Sequence, residues 1–185
     1  MFNVMARHIA TSVLLLSVAG CALPRAEPER LGLQLPPAAL GQELSLRQTL
    51  TVERDGRVDQ LEVALEVEAA ELRLVGMALG KRVLTLHYDG HALTSWRHPM
   101  VPPQLRAEDI LEDLQLTLWP VDTLRQALPA GWRIEQAGAE RILYKGSMPV
   151  CVIRYDTEPR WTGKIELSNL RYGYRLTIHS VLIPS

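Results

Sequence analysis

The sequence is poor in cysteine, in aromatic side chains and in net charge. Of its 185 residues, two are cysteine and one is phenylalanine, and the formal net charge is −1. A charge so close to zero gives no reason to expect nucleic acid or an anionic surface as a partner. The shortage of aromatic residues beside many leucines predicts an aliphatic core or cavity, and the length predicts a single domain.

A hydrophobic run long enough to cross a bilayer is also lacking near the start of the chain. Ile9–Val18 spans 10 residues, which is typical of a secretion signal and too short for a transmembrane helix. The next residues, Ala19-Gly20-Cys21, resemble the lipobox at which lipoprotein signals are cut. We therefore expect a signal peptide over 1–20 and lipidation of Cys21. The alternative is an ordinary signal peptide followed by an incidental cysteine.

Three acyl chains on Cys21 would form a stable membrane anchor. The residue after it is Ala22, where lipoproteins kept at the inner membrane often carry aspartate, so we expect the outer membrane as the destination. Residues 21–42, rich in proline and alanine, are interpreted as the lipidated cysteine and a tether to a domain at 43–185. Cys151 would then have no disulfide partner and is interpreted as a buried structural thiol.

From Leu44 onward the pattern is that of an antiparallel β-meander. Apolar and polar residues alternate along 61–68, and Asp55-Gly56 marks a two-residue hairpin turn. Such a turn pairs Leu50 with Leu61 and Leu46 with Leu65, which places the apolar residues of both strands on one face. A turn at 69–70 extends this face to a third strand. The fourth strand fits only if a bulge or longer loop lies between 76 and 81.

Two short helices should interrupt the strands. Residues 107–118 carry Ile110, Leu111, Leu114 and Leu118 on one helical stripe, and Pro120 suits the first turn of a second helix. Four or five further strands follow from Trp132. The expected fold is mainly β: a curled antiparallel sheet, or half-open barrel, of nine to ten strands, capped by two helices.

Catalytic and metal-binding patterns are weak. The stretch 76–81 has some likeness to a phosphate loop, but its glycine spacing is one residue short and it falls in a hairpin. His87 and His91 would point to opposite faces of a tight hairpin, so a shared metal ion is not expected. Glu108, Glu112 and Asp113 are interpreted as the solvated face of the first helix. We predict no enzymatic activity, no cofactor and no metal.

Three segments resemble a proteobacterial lipoprotein family of unassigned function: Leu111–Pro120, Leu128–Trp132 and Arg171–Thr177. The resemblance extends roughly from Leu44 onward. Members of that family occur beside genes for aryl-polyene or related fatty-acid-like synthesis, and their architecture is similar to LolA and LolB. Those two proteins are half-open barrels capped by helices that hold acyl chains of lipoproteins. The resemblance implies a carrier of acyl or polyene chains, although a fold does not fix a function.

Two sets of residues are candidates for such binding. The first is the apolar face of sheet and helix, which could equally be a packed core: Leu46, Leu61, Val63, Leu65, Val67, Leu72, Leu74, Leu84, Leu86, Ile110, Leu111, Leu114 and Leu118. The second is the proline-rich connection with Met100, Val101 and Leu105, which could contact a membrane or the cargo or simply pack on the helices. We expect a monomer that faces the periplasm, with a LolA-like periplasmic carrier as a candidate partner. A structural lipoprotein that docks onto an exporter or synthase is the alternative.

Overall fold

The fold is built on ten antiparallel strands. The computed structural model describes residues 29–103 and 105–183. The strands are β1 (Leu44–Arg54), β2 (Arg57–Val67), β3 (Leu72–Ala78), β4 (Lys81–Tyr88), β5 (Leu93–Arg97), β6 (Trp132–Ala137), β7 (Glu140–Lys145), β8 (Met148–Tyr155), β9 (Gly163–Asn169) and β10 (Tyr174–Leu182). They form one sheet in the order β5-β4-β3-β2-β1-β10-β9-β8-β7-β6. Since β5 and β6 remain unpaired edges, the curled sheet does not close, and the predicted half-open barrel is confirmed.

The hairpin registers follow the sequence pattern. Leu50 pairs with Leu61 and Leu46 with Leu65 across the first hairpin, as predicted. Its turn residues, Asp55 and Gly56, both have positive φ, which is the backbone of a type I′ turn. The expected irregularity before β4 is a bulge between Gly76 and Met77. The apolar residues that pair in these registers, such as Leu46, Leu65, Leu74 and Leu86, therefore share the inner face of the curl, whereas Val75 is exposed on the outer face.

The loop between β4 and β5 differs from the prediction. A two-residue turn at 89–90 would pair Tyr88 with His91, but Tyr88 pairs with Leu93 and four residues form the connection. The Asp89 carboxylate accepts hydrogen bonds from the backbone amides of His91 and Ala92, which closes this longer turn. His87 bonds Glu71 through its ring.

Two helices cross the inner face between β5 and β6, as predicted. Helix α1 spans Ala107–Leu118 and helix α2 spans Val121–Ala127, with Pro120 as the residue that caps α2. The inner residues of the sheet and those of α1 belong to one continuous hydrophobic core. Helix α1 therefore lies like a lid on the inner face of the sheet.

The segment before β1 belongs to the domain and is not a free tether. Leu31, Leu33 and Leu40 are buried in the same core, and residues 37–40 form a 3₁₀ turn. The boundary predicted at residue 43 is therefore too late for the described part of the segment. The reason is that residues 29–35 run beside α1 and cover its outer side. The predicted signal peptide over 1–20 and the predicted lipidation of Cys21 lie outside the described residues.

Candidate functional site

An apolar cavity lies between α1 and the inner face of the sheet. The space open to a water-sized sphere measures about 80 Å³. Among its lining residues, Gln48, Asp113 and Thr117 are polar, and the others are apolar: Leu50, Leu61, Val63, Leu74, Gly76, Leu84, Leu105, Ile110, Leu114, Leu118, Leu167, Leu176 and Ile178. Such a lining suits hydrocarbon, because apolar contact with a chain needs few directed polar groups.

About half of the predicted binding residues line this cavity. The lining members are Leu61, Val63, Leu74, Leu84, Ile110, Leu114 and Leu118. The remaining members are closely packed core residues that do not line it: Leu46, Leu65, Val67, Leu72, Leu86 and Leu111. Sequence alternation identified the inner face correctly but could not show which part of that face is left uncovered by α1.

Of the three residues predicted in the proline-rich connection, one lines the cavity and two do not. Leu105 lines the cavity, whereas Met100 is exposed and Val101 is half-buried. Arg97 holds this connection by donating hydrogen bonds to the carbonyl oxygens of Pro102, Pro103 and Leu105, at 3.1–3.2 Å. The connection and the first turn of α1 thus form one side of the cavity. Arg97 holds the connection, and an ion pair between Arg30 and Asp109 holds the first turn.

Sequence reasoning missed a buried polar cluster that ties α1 to the β9–β10 turn. Glu112 and Arg171 form an ion pair whose side chains are almost fully buried. Arg171 also lies over the rings of Trp132 and Tyr172, with its Nε and Nη1 atoms buried and without hydrogen-bond partners. The prediction that Glu112 lies on a solvated helix face is wrong, because residues 29–35 cover that face.

Asp113 is the ionisable residue among those that line the cavity. Its carboxyl accepts hydrogen bonds from the Tyr174 hydroxyl and from the Asn169 amide. Burial raises the pKa of Asp113 to about 7, against the opposing effect of the Tyr174 hydrogen bond. Burial likewise raises the pKa of Tyr174. Asp113, also predicted to be solvated, is thus a buried carboxyl that can carry a proton near neutral pH.

The far end of α1 is held by a second set of polar contacts. The buried guanidinium of Arg141 donates to the carbonyl oxygens of Leu116 and Trp119. The Tyr155 hydroxyl donates to the Thr117 carbonyl oxygen at 2.7 Å, and burial raises the pKa of Tyr155 to about 12. These bonds satisfy carbonyl groups that a helix leaves unpaired at its C-terminal end.

The sequence contained a signal for the contacts of Glu112 and Asp113 with the β9–β10 turn. Glu112 and Asp113 belong to the segment Leu111–Pro120, and their partners Arg171 and Tyr174 belong to Arg171–Thr177. Both segments carry the family resemblance. The structure shows that the two segments bind each other, and this contact holds α1 to the sheet together with the bonds from Arg141 and Tyr155.

Nothing in the described residues points to a nucleophile or a metal site. Cys151 is fully buried, as predicted, and burial raises its thiol pKa, which disfavours the reactive thiolate. Within 29–103 and 105–183, no three His, Cys, Asp or Glu side chains come together as metal ligands would. The helices of this same part are all too short or too polar to cross a membrane.

Comparisons with known proteins place the chain in a family. Residues 45–182 match the family described as protein of unknown function, DUF3261. A solved structure of a DUF1329 family protein from Desulfovibrio piger is 12% identical, covers 78% of this chain and 87% of its own, and has a TM-score of 0.32. No curated protein matches the sequence. The match over 45–182 shows that this chain belongs to the DUF3261 family.

Proposed function

We propose that the protein is an outer-membrane lipoprotein, anchored through Cys21, that binds acyl or polyene-lipid chains without catalysis and assists their transfer or insertion at that membrane. The observation that supports this proposal is the aliphatic cavity under α1. A carrier of hydrocarbon needs an apolar groove and a cover over it, and the inner sheet face and helix α1 have these two roles in the proposal.

The size of the cavity requires the lid to move. Typical small-molecule sites measure roughly 300–1,000 Å³, whereas this one offers about 80 Å³. The hydrogen bonds from Arg141 and Tyr155 secure the C-terminal end of α1. Beside the cavity, Arg97 holds the connection that follows β5, and the Arg30–Asp109 ion pair holds the first turn of α1. A chain would therefore enter beside the first turn, where the connection held by the exposed Arg97 can be pushed outward.

A structural lipoprotein is the second candidate function. The small volume of the closed cavity favours it, because a nearly filled core needs no ligand. In this alternative the domain would dock onto a partner exporter or synthase. The two functions differ in one measurable property, which is whether the chain binds hydrocarbon.

Binding of a fluorescent polyene fatty acid, with palmitate as competitor, tests the proposal. We would use the mature chain, residues 21–185 with Cys21→Ser, so that neither a covalent lipid nor the apolar signal segment competes. The carrier function predicts saturable binding that Leu61→Trp weakens at least ten-fold, because Leu61 lines the cavity. Val75→Trp on the outer face of β3 is the matched control and should bind normally. Absence of saturable probe binding, with no lipid extracted from the purified protein, would leave the structural function.

The anchor is tested separately by fractionation of cells. Cys21→Ser should release or mislocalise the protein while the domain stays folded, because the substitution lies before the described core. The intact mass of the wild-type protein should show three added acyl chains. A Cys21→Ser protein that still fractionates with the outer membrane would refute anchoring through this residue.

A further inference from the structure

One end of the half-barrel gathers several strand connections. Arg54 at the end of β1 pairs with Tyr174 at the start of β10, and Tyr174 pairs with Asn169 at the end of β9. Asn169 in turn pairs with Cys151 near the start of β8. The β1–β2, β3–β4, β7–β8 and β9–β10 turns therefore lie at this end, which we call the turn end, together with the connection that follows β5.

A large apolar side chain is exposed in or directly beside each of these connections. The residues are Val58, Leu79, Met100, Met148 and Leu170, and at least half of each is exposed. The opposite end exposes Val181, Leu182 and Ile183, which are consecutive residues of one chain segment. Single exposed apolar residues are ordinary, but at the turn end they come from five separate connections and together can form a surface that contacts an apolar medium.

Leu79 carries most of this argument. It is 91% exposed and has φ +52°, a left-handed backbone that a leucine side chain disfavours. The equivalent position in the β1–β2 turn is Asp55, a residue type that suits such a turn, and it also precedes a glycine. Neither the backbone nor burial in the domain favours leucine at 79, so a contact outside the domain is the physical reason that remains.

Two cations at the turn end have no carboxylate partner in the described part of the chain. The turn segment 78–82 contains Lys81 and no carboxylate, and Arg57 begins β2 after the β1–β2 turn. Several other basic residues at this end are paired: Lys145 with Glu29, Arg171 with Glu112 and Arg175 with Glu53. Arg57 and Lys81 form no ion pair within the described residues. The opposite end carries charges of both signs: the β2–β3 turn contains Glu68 and Glu71, and the β8–β9 loop contains Asp156, Glu158 and Arg160. Arg57 and Lys81 are therefore available to anionic groups outside the domain.

The chain also enters the domain at the turn end. Glu29 pairs with Lys145, which lies at the β7–β8 turn. Eight peptide units separate Glu29 from Cys21, so a fully extended chain spans at most about 27 Å between them. If Cys21 is acylated, as the proposed function states, the turn end is the end nearest the membrane.

We propose that the turn end docks on a phospholipid surface with anionic headgroups, with Leu79 entering the acyl boundary and Arg57 and Lys81 contacting phosphates. The half-buried lining residues Leu50, Leu61 and Leu176 lie on the strand halves nearest this end. Docking therefore brings the entrance of the cavity to the lipid. This inference deepens the proposed function by naming the surface from which a chain would enter.

An environment-sensitive fluorophore on the full lipidated chain tests the docking. We would label Leu79→Cys with a nitrobenzoxadiazole dye and reconstitute the protein in phosphatidylcholine vesicles with phosphatidylglycerol. Cys151 is fully buried and an acylated Cys21 has no free thiol, so the dye reports residue 79. Spin-labelled acyl chains should quench this dye strongly and should spare the matched label at Ala69→Cys, at the opposite end. Equal, weak quenching at both positions would overturn the proposal.

A second experiment removes the dependence on Cys21. In the mature chain, residues 21–185 with Cys21→Ser, flotation with the same vesicles is compared among variants of the turn end. Leu79→Asn suits the positive φ, so the fold is kept, and it should lower vesicle association several-fold. Lys81→Glu should lower it about five-fold or more, and only on anionic vesicles. Arg154→Glu near the opposite end is the control. If vesicle association is unchanged in both turn-end variants, docking is refuted, even if the chain binds acyl probes. If the chain associates with vesicles as expected but does not bind acyl probes, only the carrier function is refuted.

Discussion

The side chain of Gln115 makes with the backbone of Leu35 the two hydrogen bonds that a neighbouring β-strand would make. Its Nε2 donates to the Leu35 carbonyl oxygen at 2.7 Å, and the Leu35 amide donates to its Oε1 at 3.0 Å. Glu112, one helical turn earlier, accepts from the Gly32 amide at 3.3 Å. Helix α1 thus serves as the hydrogen-bonding neighbour of an extended segment that has no strand beside it.

Gln115→Ala should therefore destabilise the domain. The change leaves the amide and the carbonyl group of Leu35 without partners at a partly buried position, which costs about 2–3 kcal/mol. Urea unfolding should show a lower midpoint with little change in slope. Gln126→Ala, on the exposed side of α2, is the control and should change stability by less than about 0.5 kcal/mol. Equal effects of both changes would mean that the segment 29–35 does not depend on α1.

The contact between α1 and residues 29–35 also explains which parts of the structure could be predicted from the sequence. The strands and the registers of 44–78 were predictable, because alternation and two-residue turns act between residues that are close in the chain. The positions of Glu112 and Gln115 were not, because their partners lie 80 residues away in a segment that looked like a tether. Once 29–35 was assigned to solvent, the helix face that it covers was assigned to solvent as well.

Sequence patterns also cannot show which residues of the inner face line the cavity. Leu61 and Leu65 belong to one alternating strand, and no sequence pattern separates them. Only Leu61 lies beside uncovered space, because Leu65 is packed between neighbouring strands and the core. Side-chain alternation defines a face, whereas the placement of α1 over that face depends on contacts between distant segments.

Trp119 is predicted to be a structural anchor of the connection between α1 and α2. Its side chain is fully buried, and its carbonyl oxygen accepts a hydrogen bond from Arg141. Trp119→Ala should cost about 3–5 kcal/mol, because it leaves a large cavity in the core. Thermal unfolding measures this change. Trp96→Ala, at an exposed position on β5, should leave the melting temperature within a few degrees of wild type, and a similar result for Trp119→Ala would contradict its burial.

Asp113 should make stability fall as the pH rises. Its pKa is about 7 in the folded protein, against 3.8 for the ordinary carboxyl. Between these values the folded state holds a proton that the unfolded state has released, so the stabilising contribution is complete below about pH 4. It is lost as the pH rises through 7.

The Asp113→Asn variant isolates this effect. Asparagine preserves the shape and can bond both Tyr174 and Asn169, but it does not titrate. The free energy of unfolding of this variant, relative to wild type, should increase between about pH 4 and 8 by an amount on the order of 4 kcal/mol. Urea unfolding at several pH values measures the difference, with Asp122→Asn on the exposed side of α2 as control. A difference that stays constant with pH would show that Asp113 keeps its charge when buried.

Leu61 and Leu65 offer a matched pair for the cavity itself. In Leu65→Trp the larger side chain enters a fully packed site, and overpacking should cost about 1–3 kcal/mol or more. In Leu61→Trp the indole can extend into the uncovered space beneath α1, so the free energy of unfolding should change by less than about 1 kcal/mol while the space for a chain is reduced.

Urea unfolding of both variants, beside titration with the polyene fatty acid, separates stability from binding. A stable Leu61→Trp protein with weakened binding is the result expected of a lined cavity. If Leu61→Trp is destabilised as strongly as Leu65→Trp, the space under α1 is too rigid to admit a side chain, and a hydrocarbon chain would be excluded for the same reason.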